Sequence, residues 1–539
     1  MMPLCLGLYI QAYVLLLLRR EQRMRINFYN EFAKTVQNNP QKVSVYDGDV
    51  SVTFAQLHER ERRIAESIHI AIGGKSKTPV GVFLPKCVDS IAADIGIIHT
   101  GNFYMNLDVK YPEERLGNIF KIVQPSCVVT SSKYKLVLEK IDSALPLIVV
   151  DELENNDVSV SISKKLDAVL AGMIDTDLLC IINTSGSTGT PKGVALTHRG
   201  FFDYVYCTSE TWSLADDEII GSMAPIGFDH FSFELCMLMA KSATLIVIPD
   251  QFNMFPVKIL NLMNEHKATF IFWVPTIMVN IANMGLLEKI PMPTLKHIWF
   301  AGEVFPTNKF NVWYRAFSKN VQFVNLYGPC EITVDCTWYE CTHEMDESKP
   351  IPIGHSCRNM NVIILNENNQ LVGKNEEGEI CVRGTGLAMG YYNNPEKTAA
   401  AFVQNPLNSS YPELIYRTGD VGLVNDDGEI IFKGRRDTLI KHSGYRIELS
   451  EIEHIIMNKL KLVKNCCVVY NFSAKEITLI YENDTELDIA SLRRQISAEL
   501  PKYMIPTAYV YMKELPRGGT GKIDRALLNK QVNDEHNRH

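Results

Sequence analysis

The chain has no excess of positive charge, no repeat, no low-complexity tract and no Cys-x-x-Cys pair. Each absence removes a class of protein. Its 539 residues carry 54 Lys and Arg against 62 Asp and Glu, a net charge of −8. A nucleic-acid partner would want a basic face, so this balance argues against one. Thirteen cysteines are odd in number and scattered, which does not suit a disulfide framework. A reduced, cytoplasmic protein is the expectation. Cys336, Cys341 and His343 lie near one another, but no second ligand pair accompanies them, and they read as core and loop residues.

The N-terminus lacks the marks of a signal peptide. Leu4 to Leu18 is apolar apart from Gln11, and Arg19-Arg20 follow it rather than precede it. The stretch is at the short edge for a membrane span, with positive charge placed to keep the body cytoplasmic. Alternatively, Met24 opens a soluble domain at Met24-Arg25-Ile26-Asn27-Phe28. Residues 1–23 are therefore set apart as an anchor or a non-native extension, with the soluble reading preferred.

What is present is ordinary globular chemistry, 46% hydrophobic and 22% charged, at a length that suggests several units. After residue 24, strand-like and helix-like segments alternate, which predicts layered α/β structure. Thr53 is a candidate cap for a charged helix over His58–Ser67. Pro79–Leu84 reads as a buried strand and Asp89–His99 as an amphipathic helix. An Asp427-Gly428 turn predicts a hairpin between 420–424 and 429–432. Ser450 and Glu453 predict a capping box for a helix over Glu451–Leu460. Strands around Cys466–Val469 and Ile477–Tyr481 follow, then a helix ending at Leu500. The expected division is a large core domain over 24–436 and a small mobile domain over 437–539.

One stretch stands out, Asn183-Thr184-Ser185-Gly186-Ser187-Thr188-Gly189-Thr190-Pro191-Lys192-Gly193. The apolar run Leu178–Ile182 before it reads as a buried strand, and Thr197 after it can cap a helix, so the loop is expected between a strand and a helix. Glycines let backbone N–H groups approach an anion, and hydroxyls and a lysine add donors and charge. That describes a phosphate cradle. The order GxxxxGK followed by Ser or Thr is absent, which disfavours a P-loop NTPase.

This loop resembles the signature of the adenylate-forming superfamily, which includes acyl-CoA synthetases, luciferases and the adenylation domains of nonribosomal peptide synthetases. Other blocks in the family's order carry the resemblance along nearly the whole chain. They are Gly101–Leu116, Phe228–Glu234, Asn325–Thr333, Gly384–Tyr391, Tyr416–Asp420, Phe432–Arg435 and Leu515–Arg525. The resemblance implies a multi-sheet α/β core with a small α+β lid. It implies ATP binding by Thr184, Ser185, Gly186, Ser187, Thr188, Gly189, Lys192, Asn325, Tyr327, Asp420, Phe432 and Arg435. Glu331 would hold Mg2+, since a carboxylate suits a hard cation shared with phosphate oxygens. Lys522 would enter the site during adenylation, and Thr188, Glu331 and Lys522 form the implied catalytic set. Asp437 would be the hinge, and Gly444 would line the pantetheine channel. Cys330 stands where the family usually has Thr.

Phe228-Asp229-His230-Phe231-Ser232-Phe233-Glu234 resembles the peptide-synthetase form, in which the Asp meets the substrate's α-ammonium. A buried carboxylate left unpaired costs roughly 3–5 kcal/mol, so a fatty acid would be rejected. The projected pocket is Asp229, His230, Phe233, Phe272, Trp299, Ala301, Leu326, Val334, Asp335 and Lys522. Its large aromatics favour a small side chain, and Asp335 at the floor calls for a hydroxyl or amino donor, with serine the first candidate. The implied activity is ATP-dependent amino-acid adenylation, then transfer to the phosphopantetheine of a separate carrier protein. The alternatives are an acyl- or aryl-CoA synthetase and a catalytically silent nucleotide-binding protein.

Overall fold

The computed structural model describes residues 26–153, 159–184, 191–317, 320–435, 439–516 and 523–535. Two large sheets dominate the first four hundred residues. The nine-stranded sheet runs, in spatial order, His355–Ser356, Thr337–Glu340, Gln322–Tyr327, His297–Phe300, Phe270–Trp273, Ile219–Ser222, Thr244–Val247, Val43–Asp47 and Val50–Thr53. Its six middle members are mutually parallel, and antiparallel strands close both edges. Short runs such as Phe270–Trp273 and His297–Phe300 are almost wholly buried, as parallel strands covered on both faces must be.

The second sheet orders Leu147–Val149, Cys127–Thr130, Pro79–Phe83, Phe103–Asn106, Leu178–Thr184 and Lys192–Thr197. Two helices fill space beside it. Phe54–Ala71 begins at Thr53 with a complete capping box to Gln56, four residues earlier than the expected charged helix. Val88–His99 is not amphipathic as expected. All but one of its residues are buried, because neighbouring elements cover every side of it. At its centre a Cβ on Gly96 would lie 2.8 Å from the Glu61 carbonyl oxygen, so only glycine permits the approach of the two helices.

A third sheet of five strands includes Gly378–Gly384, Leu414–Val424 and Ile430–Arg435, the last two forming the expected hairpin, with Gly428 at φ +82°. From residue 439 onward the strands join none of these sheets. Leu439–His442 pairs with Tyr445–Glu448, and Asn465–Asn471, Glu476–Glu482 and Ala508–Met512 form a separate three-stranded sheet. Their apolar clusters contain no residue from earlier in the chain. The lid is thus a smaller C-terminal α+β unit. Residues 436–438, including the expected hinge Asp437, lie outside the described residues.

The predicted capping box at Ser450 does not form. The helix starts at Leu449 after Glu448, and Ser450 Oγ donates to Glu448. Glu453 turns away to accept from the Val468 N–H at 2.6 Å and to hold the Arg525 guanidinium. A buried backbone donor and a cation outcompete the local cap, because the Val468 N–H would otherwise be left buried without a partner and the cation strengthens the carboxylate's hold. Among the described residues no helix is long and apolar enough to cross a membrane, and residues 1–23 are outside that description.

Candidate active site

The strands that flank the glycine-rich stretch pair with each other, so a strand and not a helix follows it. Leu178–Thr184 and Lys192–Thr197 are antiparallel, with Thr184 opposite Lys192, and the helix His198–Thr211 starts only after the second strand. The expectation misplaced the loop because Val194–Leu196 is a short apolar run that completes the sheet edge before Thr197 caps the helix. Ser185, Gly186, Ser187, Thr188, Gly189 and Thr190 lie outside the described residues. Lys192 is on the second strand, its ammonium 5.1 Å from the Tyr391 ring centre. Burial lowers its pKa, and the nearby Arg446 cation acts in the same direction.

The centre of the site is the segment that leaves strand Gln322–Tyr327. Gly328 lets it fold back, since a Cβ there would lie 2.3 Å from the Val334 carbonyl oxygen and 2.4 Å from Asp335 Cα. Thr333 and Val334 follow at φ +61° and +68°. A β-branched residue in the left-handed region is strained, by about 1–3 kcal/mol. The strain turns the Val334 N–H toward Asp229 Oδ2, at 3.3 Å.

Along this segment the predicted nucleotide residues come together. Tyr327 donates its hydroxyl to Asp420 Oδ2, and the Phe432 ring lies 5.9 Å from that of Tyr327. Arg435 is the strand partner of Asp420. Asn325 donates its side-chain amide to the Pro352 carbonyl at 2.7 Å, which ties down the strand end. Glu331 is fully buried, accepting from Tyr391 OH at 2.8 Å and from Arg446 Nη1 at 2.5 Å. Burial alone would raise its pKa, but the Arg446 guanidinium and these hydrogen bonds hold it at about 2.

The projected substrate residues also converge. Phe233 stacks on Trp299 with ring centres 6.0 Å apart, and Phe272 meets Phe233 and Trp299 edge-on at 5.9 and 5.8 Å. His230 lies 4.4 Å from the Phe272 ring. Ala301, Leu326 and Val334 are buried. Asp229 opens the helix Asp229–Lys241, accepting from the His230 N–H at 3.0 Å. Burial would lower the His230 pKa, but Asp229 and Asp335 outweigh it and raise it. Asp335 takes the Tyr204 hydroxyl on Oδ2 at 2.7 Å, while its buried Oδ1 has no hydrogen-bond partner among the described residues. Burial raises its pKa to about 6, against the opposing pull of His230 and Tyr204. Lys522 lies outside the described residues.

Gly444 sits at φ +82° in the hairpin of the C-terminal unit, its N–H 2.8 Å from Glu303 Oε1. A Cβ there would meet Val274 Cγ1 at 3.1 Å. Sequence reading passed over Tyr204, Arg446, Glu303 and the role of Tyr391. Tyr204 carries no local signal, because its partner is 131 positions away. Arg446, two residues beyond the singled-out Gly444, could have been noticed as a cation beside a site expected to handle phosphates.

The residues present fit Mg2+ and ATP. Among the described residues no cluster of three or more His, Cys, Asp or Glu is poised to hold a metal. Magnesium commonly needs only one or two carboxylates besides substrate phosphates, and Glu331 already holds a cation, Arg446. When bound, magnesium would neutralise phosphate charge. Asp420 would offer a carboxylate to ribose hydroxyls, and Tyr327 and Phe432 would offer ring faces.

These features join the expected nucleotide residues to the projected substrate residues through one folded-back segment. The chain belongs to the AMP-binding enzyme family, whose sequence profile matches residues 32–392. It is an adenylate-forming ligase, similar to zwittermicin A synthase ZmaJ of Bacillus cereus, at 29% identity over 518 residues, 94% of this chain and 95% of that one. Gramicidin S synthase 1 of Brevibacillus brevis is 29% identical over 500 residues, 92% of this chain, which spans only 44% of that protein. In fold, the Vibrio cholerae adenylation domain AlmE, solved with glycyl-adenosine-5'-phosphate, superposes with a TM-score of 0.80 at 20% identity. That match covers 94% of this chain and 98% of AlmE.

Proposed function

We propose that the chain activates a small polar amino acid, serine first, as its adenylate and passes it to the phosphopantetheine thiol of a separate carrier protein. The observation that carries this reading is the contact between Asp229 Oδ2 and the Val334 N–H. It joins an anion suited to an α-ammonium to the segment bearing Tyr327, Glu331 and Asp335. In the first step a carboxylate oxygen of the amino acid attacks the α-phosphorus of ATP, and the bond to the β-phosphate oxygen breaks, releasing pyrophosphate. Asp229 would hold the ammonium, Asp420 the ribose and Lys522 the charge shared between carboxylate and phosphate. In the second step a thiolate attacks the acyl carbon and AMP leaves, with Gly444 lining the approach.

The proposed domain boundary is between residues 436 and 437, with Asp437 as hinge. An acyl- or aryl-CoA synthetase is the competing reading, and a buried Asp229 disfavours it, since a fatty acid brings no cation. The test is ATP–pyrophosphate exchange with a panel of amino acids, then transfer to coenzyme A against a carrier bearing free phosphopantetheine. Exchange with leucine or phenylalanine but not serine would sink the substrate assignment. Transfer to coenzyme A alone would sink the carrier.

A further inference from the structure

The helix His198–Thr211 meets the folded-back segment after Tyr327 at two points one helical turn apart. Thr197 caps that helix on the Gly200 N–H. A Cβ on Gly200 would lie 2.7 Å from Thr333 Oγ1, so the glycine lets the helix press against the segment. Thr333 Oγ1 in turn donates to the Gly386 carbonyl at 2.7 Å, which fixes that side of the contact. Tyr204 follows Gly200 on the same helix face and reaches Asp335, just beyond Thr333. The Tyr204 ring is buried and stands edge-on to Phe233 with ring centres 5.2 Å apart, packing that holds its hydroxyl over Asp335 Oδ2.

That hydroxyl does two things to the carboxylate. It occupies Oδ2, leaving Oδ1 as the buried oxygen without a partner among the described residues. It also favours the ionised form, against the burial that raises Asp335 to about 6. Burial and the adjacent carboxylate push the Tyr204 phenol well above its ordinary range, so it stays a donor at any working pH. The other titratable groups facing Asp335 are His230 and Asp229 from the helix Asp229–Lys241, Cys336 and Cys357 at neighbouring strand ends, and Lys441 from the C-terminal hairpin. Resting on the amino-acid reading above, the geometry points to Tyr204 as a specificity-determining residue that the projected pocket omits. It is a positioning residue acting through Asp335: with one oxygen filled, the other is held ionised for a side-chain hydroxyl. A substrate methyl in that place leaves the anion buried and unmatched, and is refused.

The experiment measures ATP–pyrophosphate exchange by the full chain with serine and with alanine, between about pH 5.5 and 9. The proteins are wild type, Tyr204→Phe, Asp335→Asn and the double variant. The readout is the ratio of kcat/KM for serine over alanine, in which groups acting alike on both substrates cancel. In wild type the ratio should rise through about pH 6 and then level off. Tyr204→Phe should lower it roughly tenfold at pH 7, serine falling more than alanine, with recovery toward pH 9, because Asp335 without its donor ionises later. Asp335→Asn should give a low ratio at every pH, and the double variant should match it, since Tyr204 has no carboxylate left to act through. An equal loss for both substrates in Tyr204→Phe would make the hydroxyl merely structural and overturn the inference. So would a pH-dependent ratio surviving in Asp335→Asn, which would assign the titration to His230. If Tyr204→Phe does not fold, the double variant decides, and a ratio below that of Asp335→Asn overturns the inference. An unchanged ratio in Tyr204→Phe removes this inference alone. Wild-type exchange that does not favour serine over alanine removes the substrate assignment and this inference together.

Discussion

Tyr204 and Asp335 meet at 2.7 Å in the buried interior, one hydroxyl on one carboxylate oxygen, with the other oxygen buried and unmatched among the described residues. An unmatched acceptor of this kind costs about 1–3 kcal/mol in the free protein. A ligand that brings a donor removes that cost, and one that does not leaves it in place. On the proposed reading, Asp335 would select by hydrogen bonding and the aromatic rings by size.

The same pair makes stability depend on pH. Burial raises Asp335 from its ordinary 3.8 to about 6 in the folded chain. A raised carboxyl contributes stability that is fully present below about pH 4 and lost as pH climbs through about 6. Asp335→Asn, which cannot ionise, is expected to melt higher than wild type at pH 7, by up to about 3 kcal/mol, and equally near pH 4. Thermal melts of the two proteins across this range check it. A constant difference at all pH values would disprove the assignment.

Asp229→Ala removes the anion offered to the α-ammonium. Amino-acid-dependent exchange should fall by a factor of ~100 or more in kcat/KM, the result of leaving a buried cation without its counter-ion. ATP affinity, measured directly, should change far less.

Lys522→Ala should slow adenylate formation by roughly 100-fold, the usual effect of removing one group that stabilises developing charge. Pre-steady-state pyrophosphate release measures it. Full-rate release from the variant would remove Lys522 from the reaction.

Gly444→Val forces a β-branched side chain into the left-handed region and against Val274 Cγ1. The folded C-terminal hairpin should lose about 1–3 kcal/mol, and transfer to a thiol should fall more than pyrophosphate exchange. Equal losses in both steps would place Gly444 away from the thiol's path.

The sequence made some of this site legible and hid the rest for reasons that particular residues show. Asp229, Tyr327, Glu331 and Asp420 were found because their chemistry comes with neighbours of fixed type and spacing. Phe233, Phe272 and Trp299 were projected from positions that lie far apart in the chain, yet their rings meet within 6.0 Å. The stretch after Thr184 was expected to lead straight into a helix, because only Val194–Leu196 of the strand Lys192–Thr197 is apolar. Glu453 illustrates the opposite error. Its local signal for a cap was real, and a distant Arg525 and a buried Val468 N–H overrode it.

From the order of its residues alone, this protein's kind of chemistry was determined: the alternation of apolar runs set its layers, and short motifs set which groups are expected to meet phosphate, ribose and ammonium. Only the tertiary structure decided which partner each charged group takes. That Glu331 faces Arg446, Glu451 faces Arg115 and Asp335 faces Tyr204 depends on chain segments separated by 115, 336 and 131 positions. Buried charges and hydroxyls must find whatever complementary group the packing brings within 3 Å, and sequence distance does not enter that choice.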